Sequence, residues 1–275
     1  MNIQSLFCIA ALSLPCYAYA EIQNTTSPNA LKPLTDVRVS MQRMLKSPEG
    51  RYFLNLYAGV TKPHATLYDQ IENKKVSFKG TQKGDQIAMD SFKTELDSVA
   101  YGPMQLTGVL NANTGIFNTE LVSIQNNLVS RVQFEPAFKV MNKPLFVFKF
   151  HGVKADTQAQ EQLLTRVDVI NKTTKAVAQT LTGFSAYPNS VGYMDINFDG
   201  YYDIILSDLS QDRKVEDKRY IYWMYNPKTQ QFQRSKQLEK IIGFPNLNGE
   251  KQQIDFGAGQ LFQVKNGLLN KVLEE

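Results

Sequence analysis

The sequence predicts an all-β protein of two β-domains, the second a propeller-like or sandwich-like antiparallel domain. Three observations carry this. Apolar and aromatic runs are short and recur at meander spacing, with glycine or asparagine turns between them. No stretch sustains a helical period. At 275 residues and 43% hydrophobic content, the chain can bury the cores of one large or two ordinary domains.

The first element is a targeting segment. Residues 1–20 carry no charged side chain, Leu6–Leu14 is a short apolar run, and Ala18-Tyr19-Ala20 has the small-x-small form of a cleavage site. A secretory signal cut after Ala20 places the mature protein in the periplasm or outside the cell. The run is too short to span a bilayer and no later segment is longer, so no membrane insertion is expected. Both cysteines, Cys8 and Cys16, fall inside the signal, leaving no disulfide or thiol chemistry for the mature chain. Net charge is +4, with 30 basic residues dispersed among 26 acidic ones, which excludes an evident nucleic-acid patch.

Residues 21–35, polar with two prolines, read as a flexible leader. The N-terminal β-domain spans 36–140. Asp36–Leu45 gives a short strand or one helical turn. Strand-like runs follow at Tyr52–Tyr57, Val76–Gly80, Ile87–Met89, Met104–Leu110 and Ile116–Val122. Prolines within 134–144 mark a junction. The C-terminal β-domain, 141–275, opens with Leu145–Phe150. Leu163–Ile170 and Ala176–Leu181 form a hairpin across Asn171–Lys175, and Thr182–Ser190 reads as a loop. Arg219–Tyr225 is an aromatic strand, where core packing is the simpler role for Tyr220, Tyr222 and Trp223. Short runs near Ile241, Ile254 and Leu261 complete the domain, and Asn266-Gly267 signals a last hairpin.

One stretch carries chemistry. Asp195-Ile196-Asn197-Phe198-Asp199-Gly200-Tyr201-Tyr202-Asp203 places oxygen-bearing side chains at positions 1, 3, 5 and 9, with glycine at 6. A chain curling round a hard cation aims alternate side chains inward, and glycine makes the sharp turn. The predicted ligands for Ca2+ are the side chains of Asp195, Asn197, Asp199 and Asp203 and the carbonyl of Tyr201. Leu206 stands where an EF-hand has its bidentate glutamate, and the flanks are β-rich. The expected site is therefore a fixed loop between strands, with affinity on the order of 10⁻⁴ M. The bland alternative is a plain Asp-Gly hairpin turn.

Asp195–Leu206, followed by Tyr225-Asn-Pro-Lys-Thr-Gln-Gln-Phe232, resembles the core of a bacterial envelope family. That family holds periplasmic lysozyme inhibitors and calcium-binding immunity proteins against muramidase effectors, and its loop is similar to the FG-GAP-like calcium loop. The likeness covers about residues 145–265. It implies a non-enzymatic protein that binds a lysozyme-like muramidase through a loop ahead of the calcium site, where a tyrosine enters the target's cleft. The matching stretch here holds Thr182, Gly183, Ser185 and Tyr187, with Pro188 stiffening the chain. An exposed tyrosine on a rigid loop is a good anchor, and a tyrosine packed at a strand end is the alternative. The other functional reading is a calcium-stabilised envelope or surface module that binds protein or glycan without inhibiting anything.

Little else points to catalysis. His64 and His151 have no paired metal spacing. No nucleophile elbow, phosphate loop or dinucleotide fingerprint occurs. Asp208, Asp212, Glu216 and Asp217 read as a solvated charged loop, with Asp208 close enough in sequence to support the ion from behind its ligands.

Overall fold

The computed structural model describes residues 31–59, 61–93, 102–157, 160–210 and 212–272, leaving aside the side chains of 154–161. The expected signal and residues 21–30 lie outside the described residues. The fold is all-β. Its only described helices are two single 3₁₀ turns, Val215–Asp217 and Leu238–Lys240. No helix among the described residues is long and apolar enough to cross a membrane. The chain from Leu31 onward forms one compact unit.

Strand β1 (Lys32–Leu34) is followed by eight strands that form an up-and-down meander: β2 (Val39–Lys46), β3 (Tyr52–Ala58), β4 (His64–Asp69), β5 (Lys74–Lys83), β6 (Gln86–Phe92), β7 (Met104–Leu110), β8 (Phe117–Ser123) and β9 (Leu128–Pro136). Each pairs antiparallel with the next. The meander closes into a barrel where β2 meets β9, Leu45 opposite Pro136 and Lys46 opposite Glu135. Closure follows from the residue pattern. Alternate side chains, including Leu54 and Leu56, Leu67, Val76 and Phe78, Ile87 and Met89, Leu106, Phe117, Leu121 and Phe134, pack into one interior core. Eight strands leave an interior just wide enough for such side chains to fill.

The second half begins with the long hairpin of β10 (Phe146–Thr157) and β11 (Gln160–Asn171). It continues through β12 (Val177–Leu181), β13 (Ala186–Met194), β14 (Asp203–Asp208), β15 (Tyr220–Asn226) and β16 (Gln231–Arg234). β1, at the end of the stretch read as leader, pairs with β10. Strands β13 to β16 form an antiparallel run, and β11 pairs with β12 along one stretch and with β13 at Leu164. The gap between β12 and β16 is stitched by one side chain. The Gln179 amide donates to Phe232 O at 2.9 Å and accepts from Phe232 N at 2.7 Å, standing in for a ladder pair.

The halves share a strand. Val39–Met41 of β2 run parallel to Val191–Tyr193 of β13, while Met41–Lys46 belong to the barrel. A small sheet of β17 (Asn246–Asn248), β18 (Gln253–Asp255), β19 (Leu261–Lys265) and β20 (Leu268–Lys271) supplies Leu247, Ile254, Phe256 and Val264 to a third core. That core includes Met44 and Phe53, whose side chains point out of the barrel, and Ile205 and Tyr222 from β14 and β15. Tyr222 is thus core, as the aromatic-strand reading expected.

Candidate metal centre

The loop Asp195–Tyr202 joins β13 to β14, with Met194 opposite Asp203 at its base. Its first carboxylate organises the turn. Asp195 accepts from Asp199 N at 3.0 Å and from Gly200 N at 2.8 Å. Asp199 accepts from Tyr201 N at 2.9 Å. Asp203 accepts from Ile196 N at 2.9 Å and, across the sheet, from Tyr225 N at 2.8 Å. Each such oxygen keeps a second lone pair.

Two residues sit in left-handed backbone. Gly200 has φ of +89°, and a Cβ there would lie 2.8 Å from Val140 Cγ1 and 3.1 Å from Phe138 O, so only glycine lets the segment 137–145 press against the loop. Phe198 has φ of +57°, which for a bulky side chain costs on the order of 1–3 kcal/mol. Its ring is buried, 5.4 Å from that of Phe138, and the packing holds the strained residue in place.

Charge is concentrated here. Asp195 is 3% exposed and Asp203 1%. Burial, reinforced by the Asp199 charge, pushes the Asp195 carboxyl up to about 7. Burial, reinforced by Asp195, pushes Asp203 well above the usual carboxylate range. Lys143 approaches from the segment that leaves the barrel. Its Nζ donates to Gly200 O at 2.6 Å and lies 3.4 Å from the centre of the Tyr202 ring. Burial brings the ammonium down to about 8, against the pull of Asp195.

The donor chemistry fits a hard cation. Three carboxylates, one amide oxygen and one peptide carbonyl make an all-oxygen set. Asn197 Oδ1 is buried without a partner, while its Nδ2 donates to Asp199 Oδ2 at 2.9 Å. Turning that amide over would aim the oxygen at the carboxylate, the arrangement a cation between them favours. Among the described residues, however, no three His, Cys, Asp or Glu side chains already converge on a metal position. Asp199 and Asn197, the half-buried members, must rotate to complete a shell.

Asp208 does not support this loop. It lies at the far end of β14, opposite Ala186, roughly 16 Å away by the rise of a strand. Its carboxylate is taken by Arg213, by the Ser210 hydroxyl and by Ser210 N at 3.0 Å. Sequence proximity misled because an extended strand separates its ends.

The stretch 182–190 is mostly strand. Thr182 and Gly183 are exposed, and Gly183 O accepts from Arg234 at 3.0 Å. Ser185 and Tyr187 are half-buried beside the buried Phe184 and Ala186, and Ala186 begins β13. Pro188 is tolerated because the pairing with β14 is irregular between Ala186 and Val191. There Pro188 O accepts from Arg38 N at 3.1 Å.

His64 stacks on Tyr57 with ring centroids 4.4 Å apart. His151 lies 3.1 Å from Asp168, which Arg166 and Thr180 also hold. The two histidines sit on β4 and β10 and build no common site. Sequence reasoning missed Lys143, whose loop contact spans 57 positions and leaves no local pattern. Comparison with known proteins finds no matching family model, curated protein or solved structure.

Proposed function

We propose that the chain is an exported, calcium-stabilised β-protein that binds and blocks a lysozyme-like peptidoglycan hydrolase. Asp195, Asn197, Asp199, Asp203 and the Tyr201 carbonyl hold the ion, and its role is structural. Bound calcium neutralises the carboxylates that otherwise repel one another in a buried turn, fixing the junction of β13 and β14.

The observation that carries the reading is continuity. β13 carries Tyr187 and enters the loop at Asp195, joined to β14 at Ala186 and again from Val191 to Met194, with Arg38 N holding Pro188 O across the irregular stretch between. Whatever fixes the loop fixes the strand that bears Tyr187. The exposed Thr182-Gly183 turn, Ser185 and Tyr187 offer a stiff edge whose tyrosine combines apolar area with a polar tip. Occlusion of a cleft by such an edge loses little conformational entropy on binding. Because the chain carries a net charge of +4, steering toward a basic muramidase would rely on local acidic patches rather than the overall field.

Co-purification and lysis assays with a panel of muramidases, with calcium and with chelator, test this. The expected result is calcium-dependent binding and inhibition of at least one enzyme, weakened about tenfold or more by Tyr187→Ala at unchanged thermal midpoint. Binding without inhibition favours the non-inhibitory binding module. Full inhibition by the Tyr187→Ala variant removes the proposed anchor.

A further inference from the structure

A second feature adjoins the metal loop at Lys143 and Tyr202. Between the barrel's open end and the β10 face lies a cleft of about 880 Å³, within the range of small-molecule sites. Its walls are apolar: Val39, Met41, Phe146, Phe148 and Tyr193. At its lip Met141 faces solvent at 89% exposure.

The cleft's charge is one-sided. Its only carboxylate, Glu135, lies 2.6 Å from Lys139. Lys143 is turned toward the carboxylates of the metal loop, while Arg43 and Lys172 have no carboxylate ion pair among the described residues. Arg43 is the telling one. It is 4% exposed and faces the barrel's open end from β2, one turn of the pleat beyond Leu45. Its Nη2 donates to Ala112 O at 3.1 Å and its side chain hydrogen-bonds Tyr202, yet its Nε is buried with no partner. A buried guanidinium with a free donor and no counter-ion is costly, and an anion relieves both deficits at once.

We propose that this cleft binds an amphipathic anion, with its aliphatic body against the Phe146–Phe148 wall and its carboxylate or phosphate head at Arg43. The cleft shares Lys143 and Tyr202 with the metal loop, but its test uses neither a muramidase nor added calcium, so its failure is distinguishable from failure of the function proposed above.

Calorimetric titration of the mature protein without added calcium tests it, using decanoate, decyl phosphate, decanol and decyltrimethylammonium. Decanoate, decyl phosphate or both should bind one to one, and which head binds more tightly identifies the source. Decanol should bind about tenfold or more weakly, and the ammonium not at all. Arg43→Met should weaken the anions by a similar factor and leave decanol unchanged. Met141→Glu, on the exposed lip and away from the core, should weaken the anions at wild-type thermal midpoint, which keeps the test open if Arg43→Met fails to fold. Decanol or the ammonium binding as tightly as decanoate would overturn the proposal. So would no binding by any of the four, or wild-type affinity in the folded variants.

Discussion

At the scale of single residues, the loop is a conflict held in place by its surroundings. Asp195 and Asp203 are both buried and both destabilised as anions, and Phe198 and Gly200 occupy left-handed backbone against Phe138 and Val140. The sign of the resulting pH dependence is fixed. An acid whose folded pKa lies above its unfolded one contributes stability that is full below the unfolded value and lost as pH rises through the folded one. For Asp195 that window runs from 3.8 to about 7. In chelator, stability to urea should therefore fall by on the order of 2–4 kcal/mol between about pH 4 and about pH 7. Asp195→Asn should flatten the decline, and calcium should suppress it by taking the proton's place. Lys143, brought down to about 8, acts in a separate window above that pH, so the two effects are separable by titration. The oxygen spacing of this loop was legible because a tight turn writes its oxygen-bearing side chains into nine consecutive positions. Lys143 and Arg43 were not legible, since each gains its role from a chain segment far away in sequence.

Among the strands, local chemistry and tertiary context divide the credit. The hairpin between β11 and β12 was readable because Asn171 marks its turn, accepting from Thr173 N and Thr174 N at 2.9 and 3.0 Å. The stretch Ala186–Ser190 was not, because proline, asparagine and serine argue for a loop, and only β14 and the Arg38 backbone make it a strand. Gln179 was equally invisible, since its partner Phe232 lies on another strand. Two hydrogen bonds replace a missing ladder there, and each has a net value of about 1 kcal/mol. Gln179→Ala should lower the unfolding free energy by about 1–3 kcal/mol in urea titration, with an unchanged m-value. A cost indistinguishable from zero would show that β12 and β16 hold together without the stitch.

For the whole molecule, the meander was legible and the closure was not. Short alternating strands announce up-and-down pairing, but nothing local says that Leu45 meets Pro136 or that Val39–Met41 leave the barrel to pair with β13. That shared strand has a consequence for stability. β2 contributes to the barrel core through Leu45 and to the third core through Met44, so neither half can lose it alone. The chain should unfold in one transition. Fluorescence of its single tryptophan, Trp223 on β15, reports the second half, and far-ultraviolet circular dichroism reports both. Coincident midpoints are expected. Two separated transitions would mean that the halves are thermodynamically independent despite the common strand.

Whether the loop from Asp195 to Asp203 is a calcium staple is read most simply from the thermal midpoint of the mature protein in calcium and in chelator, beside the Asp199→Ala variant. At a calcium concentration about one hundred times a Kd on the order of 10⁻⁴ M, binding adds about 2.7 kcal/mol. For a chain of this size that raises the midpoint by roughly 5–10 °C. The variant should lose most of that rise. Identical midpoints in calcium and chelator for the wild-type protein would contradict the claim.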